Sequence, residues 1–138
     1  MRTDPARRRP VAAVINTTPD TVDLLKDVLE KAGMLVVTGY TYDIRDGKLD
    51  LPAFLRTHEP DVIVYDLAPP YDRNWEFLQH LRQTTLSGYR FVLTSLNSKY
   101  VEGLVGRDEQ VYEVVGKAED LDAIVRATRE AVRARATR

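Results

Sequence analysis

Cysteine is missing altogether from the 138 residues, which excludes disulfides and thiolate metal sites. Histidine occurs twice, at His58 and His80, too rarely for a histidine-rich metal centre, and both read as surface residues. No apolar run approaches the roughly 20 residues that a membrane-spanning helix needs. The basic start (Arg2, Arg7, Arg8, Arg9) leads into a strand-like segment too short for a signal peptide, so a cytoplasmic protein without membrane contact is expected. Net charge is nearly absent as well, at −1, which argues against strong non-specific binding to nucleic acid. The charge is unevenly spread, however: residues 1–10 carry +3 and residues 126–138 carry +4, leaving −8 on the stretch between. A solvated basic arm and a solvated helix face account for those ends.

What is present fits one globular domain, expected over residues 11–136, behind a polar, Arg-rich leader at 1–10 that shows no apolar periodicity. The central stretch is Asp61-Val62-Ile63-Val64-Tyr65-Asp66-Leu67-Ala68-Pro69-Pro70. Its apolar run, introduced by Pro60 and closed by a proline pair, predicts a strand buried on both faces of a parallel sheet. Before it, Val11–Ile15 predicts a first strand. Asn16-Thr17-Thr18-Pro19-Asp20 then opens a helix, with Thr18 as cap, Pro19 in the first helical position and Asp20 favouring the positive helix end. Apolar positions 22, 24, 25, 28, 29 and 32 share one helical face, which Gly33 terminates.

Met34–Val37 predicts a second strand, followed by a polar, turn-rich loop from Gly39 to Lys48 and a short helix capped by Asp50. After Pro70, positions 75, 77, 78 and 81 mark a third helix that packs Trp75 into the core. Tyr89–Thr94 reads as a fourth strand, Ser98 as the cap of a fourth helix, Val111–Val115 as a fifth strand, and the chain from about Asp120 as a final helix. Strand and helix alternate five times. That order predicts an α/β fold, a doubly wound five-stranded parallel sheet with right-handed crossovers and helices on both faces.

In such a sheet the carboxyl ends of the strands share one edge, where ligands bind. Asp66, Thr94 and Lys117 follow the third, fourth and fifth strands. A carboxylate, a hydroxyl and an ammonium converging there suit an anion held or formed on the carboxylate. Dinucleotide and P-loop sites need glycines in the first strand-to-helix turn, and Asn16–Asp20 contains none. The Thr-rich turn has a faint likeness to a flavodoxin phosphate loop, but Pro19 removes an amide donor and Asp20 repels anions. No Ser-His-acid or paired-carboxylate spacing stands out, and enzymatic activity is not expected.

These residues resemble the receiver domain of bacterial two-component response regulators, from about Val11 to Ala134. The likeness rests on Tyr65-Asp66-Leu67-Ala68-Pro69-Pro70, on Val92-Leu93-Thr94-Ser95, on Val115-Gly116-Lys117 and on the helix end Leu29–Gly33. It implies the flavodoxin-like (βα)5 architecture and a stand-alone signalling domain. Asp66 would accept a phosphoryl group from a histidine kinase or phosphotransfer protein, with Thr94 and Lys117 binding the phosphoryl oxygens. It also implies Mg²⁺ held by Asp66, Asn16 and the Ala68 carbonyl, a separate output protein as partner, and homodimerisation through the helices near 98–105 and after 120. Three positions depart from the family. Asn16-Thr17 stands where two acids hold the metal, which weakens Mg²⁺ binding. Ala118 replaces the proline of a cis Lys-Pro bond, and Val114 occupies the aromatic switch position. These departures admit a pseudo-receiver that signals without phosphorylation.

Overall fold

The computed structural model describes residues 9–84, 88–108, 110–116 and 120–136. Five strands form one parallel sheet in the order β2-β1-β3-β4-β5: β1 Val11–Asn16, β2 Leu35–Tyr40, β3 Val62–Asp66, β4 Phe91–Thr94 and β5 Val111–Val115. The helices are α1 Pro19–Lys31, α2 Thr41–Arg45, α3 Leu51–His58, α4 Tyr71–Thr84, α5 Ser98–Val105 and α6 Leu121–Ala136.

Residue parity along the strands decides which core each side chain joins. Ala13, Ile15, Ile63, Tyr65, Phe91 and Leu93 point to the side covered by α3, α4 and α5, where Leu51, Leu55, Trp75, Leu78, Leu81 and Val101 meet them. Ala12, Val14, Val62, Val64 and Val92 point the other way, against Val22, Leu25 and Leu29 of α1 and Ile124, Ala127 and Ala131 of α6. A strand buried on both faces must be apolar throughout, which is why β1, β3 and β4 read as unbroken runs.

Several local expectations give way to the structure. β2 runs on to Tyr40, because its whole length pairs with β1 from Val11↔Leu35 to Asn16↔Tyr40. The polar stretch expected as loop contains α2, so the architecture is (βα)5 with one added helix. Space for the return from α2 comes from Gly39: a Cβ there would lie 3.0 Å from Leu49 Cδ2. Leu24, assigned to the buried face of α1, is 44% exposed, since the core-facing row is Val22, Leu25 and Leu29. α1 ends as expected at Gly33 (φ 96°): Gly33 N–H donates to the Glu30 carbonyl and Met34 N–H to the Leu29 carbonyl, a Schellman closure with Met34 and Leu29 both buried. Asn97, not Ser98, caps α5, its Oδ1 accepting the Tyr100 N–H at 3.3 Å. Asp50 caps α3 as expected, accepting from Ala53 N–H at 3.1 Å.

Candidate functional site

The strand order reverses between β1 and β3, one leading toward β2 and the other toward β4, so a crevice opens beyond the carboxyl ends of these two strands. Ile15 pairs with Tyr65, which puts Asn16 and Asp66 side by side, each one residue further along. On the other flank Asp66 pairs with Thr94 across β3 and β4. The Thr94 hydroxyl donates to Asp66 Oδ1 at 2.8 Å, and the ladder continues one residue on through Leu67 N–H to the Thr94 carbonyl. Thr94 is fully buried and Asp66 half-buried. Burial pushes the Asp66 carboxyl above its ordinary pKa, and the Thr94 bond opposes that rise only in part.

Asn16 is 3% exposed, and its side-chain oxygen is turned back on its own loop. Asn16 Oδ1 accepts the backbone N–H of Thr17 at 2.6 Å and of Thr18 at 3.1 Å. Thr18 therefore does not cap α1 through its hydroxyl, contrary to expectation; the asparagine closes the turn instead. Asp20 stands exposed in the first turn of α1. Beyond β3, the Ala68 carbonyl accepts Asn74 Nδ2 at 2.6 Å. Asn74 Oδ1 in turn accepts from the Arg45 guanidinium, which lies 4.8 Å from the centre of the Phe77 ring. A chain of contacts thus ties α2 through α4 to the loop after Asp66. Beneath it Tyr65 is buried, and its phenol is pushed up to about 12, burial outweighing the nearby Arg45 charge. The buried Thr41 hydroxyl lies near enough to oppose that rise yet, among the described residues, meets no partner in hydrogen-bonding geometry.

No protein-family model matches the chain, and no curated protein matches it. Solved structures do. A sensor protein from Polaromonas sp. JS666 superposes with a TM-score of 0.69 at 20% identity, over 93% of this chain and 99% of that one. A response regulator from Thermotoga maritima gives 0.66 at 15%, over 91% and 98%. The signal receiver domain of an HD domain-containing protein from Pseudomonas fluorescens Pf-5 gives 0.69 at 14%, over 95% and 100%. The chain has the receiver-domain fold.

Within the receiver fold, Asp66 and Thr94 are brought into direct contact, and Asn16 and Ala68 lie on the strand ends beside and after Asp66. Lys117 and Ala118 fall outside the described residues. Val114 is half-buried in β5, packed against the α3–α5 core. Trp75 is a core residue, and His58 sits edge-on to Phe54 with ring centres 4.8 Å apart. The residues missed in the sequence are Asn74 and Arg45. A usable signal existed for Asn74: an amide in the first turn of a helix, just after Pro69-Pro70, can bond carbonyls of the preceding loop. Among the described residues no group of three or more His, Asp or Glu side chains gathers as a metal site, and no helix is long and apolar enough to cross a membrane.

Proposed function

We propose that the chain is a receiver-like signalling domain that works through partner binding at the crevice around Asp66, without phosphoryl transfer. The observation that carries this reading is the engagement of the oxygens around Asp66. Mg²⁺ takes near-octahedral oxygen ligands at about 2.0–2.1 Å and dehydrates reluctantly. Of the three positions that the resemblance assigns to it, one is a carboxylate, Asp66. Asn16 Oδ1 already accepts two backbone N–H groups, and the Ala68 carbonyl accepts Asn74 at 2.6 Å. This donor set does not fit a Mg²⁺ ion. A half-buried carboxyl whose pKa is already raised by desolvation is poorly placed to take on the further negative charge of a phosphoryl group without such a cation. The partner in this reading is a separate output protein, or a kinase that docks without transfer.

A second reading keeps Asp66 as phosphoacceptor from a histidine kinase or phosphotransfer protein, with Thr94 and Lys117 on the phosphoryl oxygens. It is favoured by the Thr94–Asp66 bond of 2.8 Å, which puts a hydroxyl where an oxygen carried on Asp66 would lie. Incubation with acetyl phosphate or beryllofluoride, with and without Mg²⁺, separates the two by intact mass and amide NMR shifts. No adduct and no Mg²⁺-dependent shift are expected. An adduct that disappears in Asp66→Asn would overturn the first reading in favour of the second. A flavodoxin-like site gains no support, because the Thr17 and Thr18 amides are spent on Asn16 and Pro19 has none; a colourless purified protein is the expected result.

A further inference from the structure

The two edge strands of the sheet are finished differently. β5 carries Glu113, paired with Arg126, and its register with β4 shifts between Phe91 and Val92, two features that keep a further strand from pairing there. β2, Leu35-Val36-Val37-Thr38-Gly39-Tyr40, has no charge, no proline and no bulge along its whole pairing with β1. Its backbone groups alternate in direction. Leu35 N–H turns inward to the Pro10 carbonyl, so Val37 and Gly39 also face β1, while the N–H groups of Val36, Thr38 and Tyr40 point to the open edge. Among the described residues no hydrogen bond engages the amide or carbonyl of Val36 or Thr38. Just before them, the Met34 carbonyl accepts from Arg9 Nη2 at 3.1 Å, and Arg9 Nε reaches the Gly33 carbonyl at 3.4 Å.

An open edge accepts any extended chain, and the side chains around this one select its own copy. Leu35 is 45% exposed. On the same sheet face, at Gly39, Leu49 Cδ2 fills the space where a side chain would stand. α1 packs on β1 and β2 alike, and its Val28, Lys31 and Ala32 face α6. At about 100° per residue, the opposite flank, which overhangs the β2 edge, carries Asp23, Lys26 and Glu30, all exposed. Among the described residues none of the three has an ion pair.

We propose that the β2 edge is a homodimer interface, in which β2 pairs antiparallel with β2 of a second copy and the two sheets become one of ten strands. A two-fold axis at Val37 pairs Val36 with the partner's Thr38, so the open amide and carbonyl of each are satisfied, and it lays Leu35 over the partner's Gly39 against its Leu49. Strands about 4.8 Å apart put the two α1 axes about 10 Å apart, an ordinary helix packing distance. Val37 stands about 7 Å along the strand from Leu35, and at 1.5 Å per residue back from Ala32 that height is near Val28 of α1. An axis there sets Lys26 against the partner's Glu30, and Asp23 against the partner's Gly33, where its Arg9 guanidinium lies. Each contact occurs twice, so all three charges on the flank meet an opposite one. The interface uses neither of the helices that the family resemblance implies for a dimer, and it does not depend on the chemistry of Asp66.

Sedimentation over a concentration series, with amide hydrogen exchange at both ends of the series, tests the pairing. The wild type should self-associate, and the Val36 and Thr38 amides should exchange more slowly as it does. Thr38→Pro removes an N–H that bonds nothing within the monomer, so circular dichroism should be unchanged while self-association weakens by about tenfold or more, two hydrogen bonds being lost per dimer. Lys26→Glu and Glu30→Lys should each weaken it by about fivefold, because like charges then meet in both contacts. The chain carrying both changes should associate as the wild type does, since the pair is only reversed. A wild type that is monomeric throughout overturns the proposal and leaves the edge to a foreign strand. A dimer that neither Thr38→Pro nor the single charge changes weaken also overturns it, placing the interface elsewhere.

Discussion

Arg82, in the last turn of α4, should be among the most costly polar side chains to disturb. Its guanidinium has five N–H donors, and all five are matched. Nη1 lies 2.7 Å from Asp108 Oδ2 and donates to Gln79 Oε1 at 2.6 Å. Nη2 donates to Asp108 Oδ1 at 2.8 Å and to Gln110 Oε1 at 3.0 Å, and Nε donates to Gln110 Oε1 at 3.2 Å. The charge also lies 5.6 Å from the centre of the Trp75 ring. The two side chains are 11% and 14% exposed, so this is a nearly buried, bidentate pair joining α4 to the connection before β5. Replacing a buried pair by apolar groups is often close to neutral, whereas removing one partner strands the other charge and costs about 3–5 kcal/mol.

Asp108→Ala should therefore destabilise the fold by about 3 kcal/mol, the low end, because Gln79 and Gln110 still solvate the guanidinium. With an unfolding entropy of about 2.1 cal/mol/K per residue, or about 290 cal/mol/K for the chain, Tm should fall by about 10 °C. The double variant Arg82→Met/Asp108→Ala should recover part of that loss, because no charge is left stranded. Urea denaturation of the wild type, both single variants and the double variant closes the cycle. A loss below about 1 kcal/mol for Asp108→Ala, the range of exposed pairs, would refute the reasoning.

Three further outcomes are expected. Burial raises the folded pKa of Asp66 above its unfolded value, so this carboxyl costs no stability below the unfolded pKa and lowers it as pH rises from there through the folded pKa. Asp66→Asn, which keeps an acceptor for Thr94, should melt higher than wild type near pH 7 and lose that slope; thermal melts between about pH 4 and 7 read the difference. Asn16→Ala leaves the Thr17 and Thr18 amides without their acceptor and should cost about 1–2 kcal/mol in urea denaturation, whereas Asn16→Asp keeps both bonds and should cost much less. Asn97→Ala should cost about 1 kcal/mol through loss of the α5 cap, while Ser98→Ala should be nearly silent, the reverse of what the sequence suggests.

The fold was legible because burial on both faces forces a recognisable pattern: Val62–Tyr65 and Phe91–Leu93 have no polar residue to dilute it, and Gly33 and Asp50 mark helix ends by local chemistry alone. α2 was not legible, since five residues with one buried member, Thr41, are too few to show a 3.6-residue period. The choice between Asn97 and Ser98 was equally closed to sequence reasoning, because both side chains can cap and one residue of offset decides. At the candidate site, the strand ends located Asp66 and Thr94, and parallel register brought them into contact. The direction in which Asn16 turns its oxygen, and the capture of the Ala68 carbonyl by Asn74, depend on rotamers and loop paths that no spacing rule encodes.

The alternation of strand residues between two cores has a bearing on how this protein can change. Among the described residues no buried side chain belongs to both clusters, and the sheet backbone separates them. Substitutions on opposite sides lack shared neighbours, so their effects on stability should simply add, while those on one side should couple. The chain thus carries two packing problems that mutation can solve independently. The face of α1 and α6 can be remodelled for one partner while the face of α3, α4 and α5 is held for another, with Asp66 at the strand ends, where both faces meet solvent.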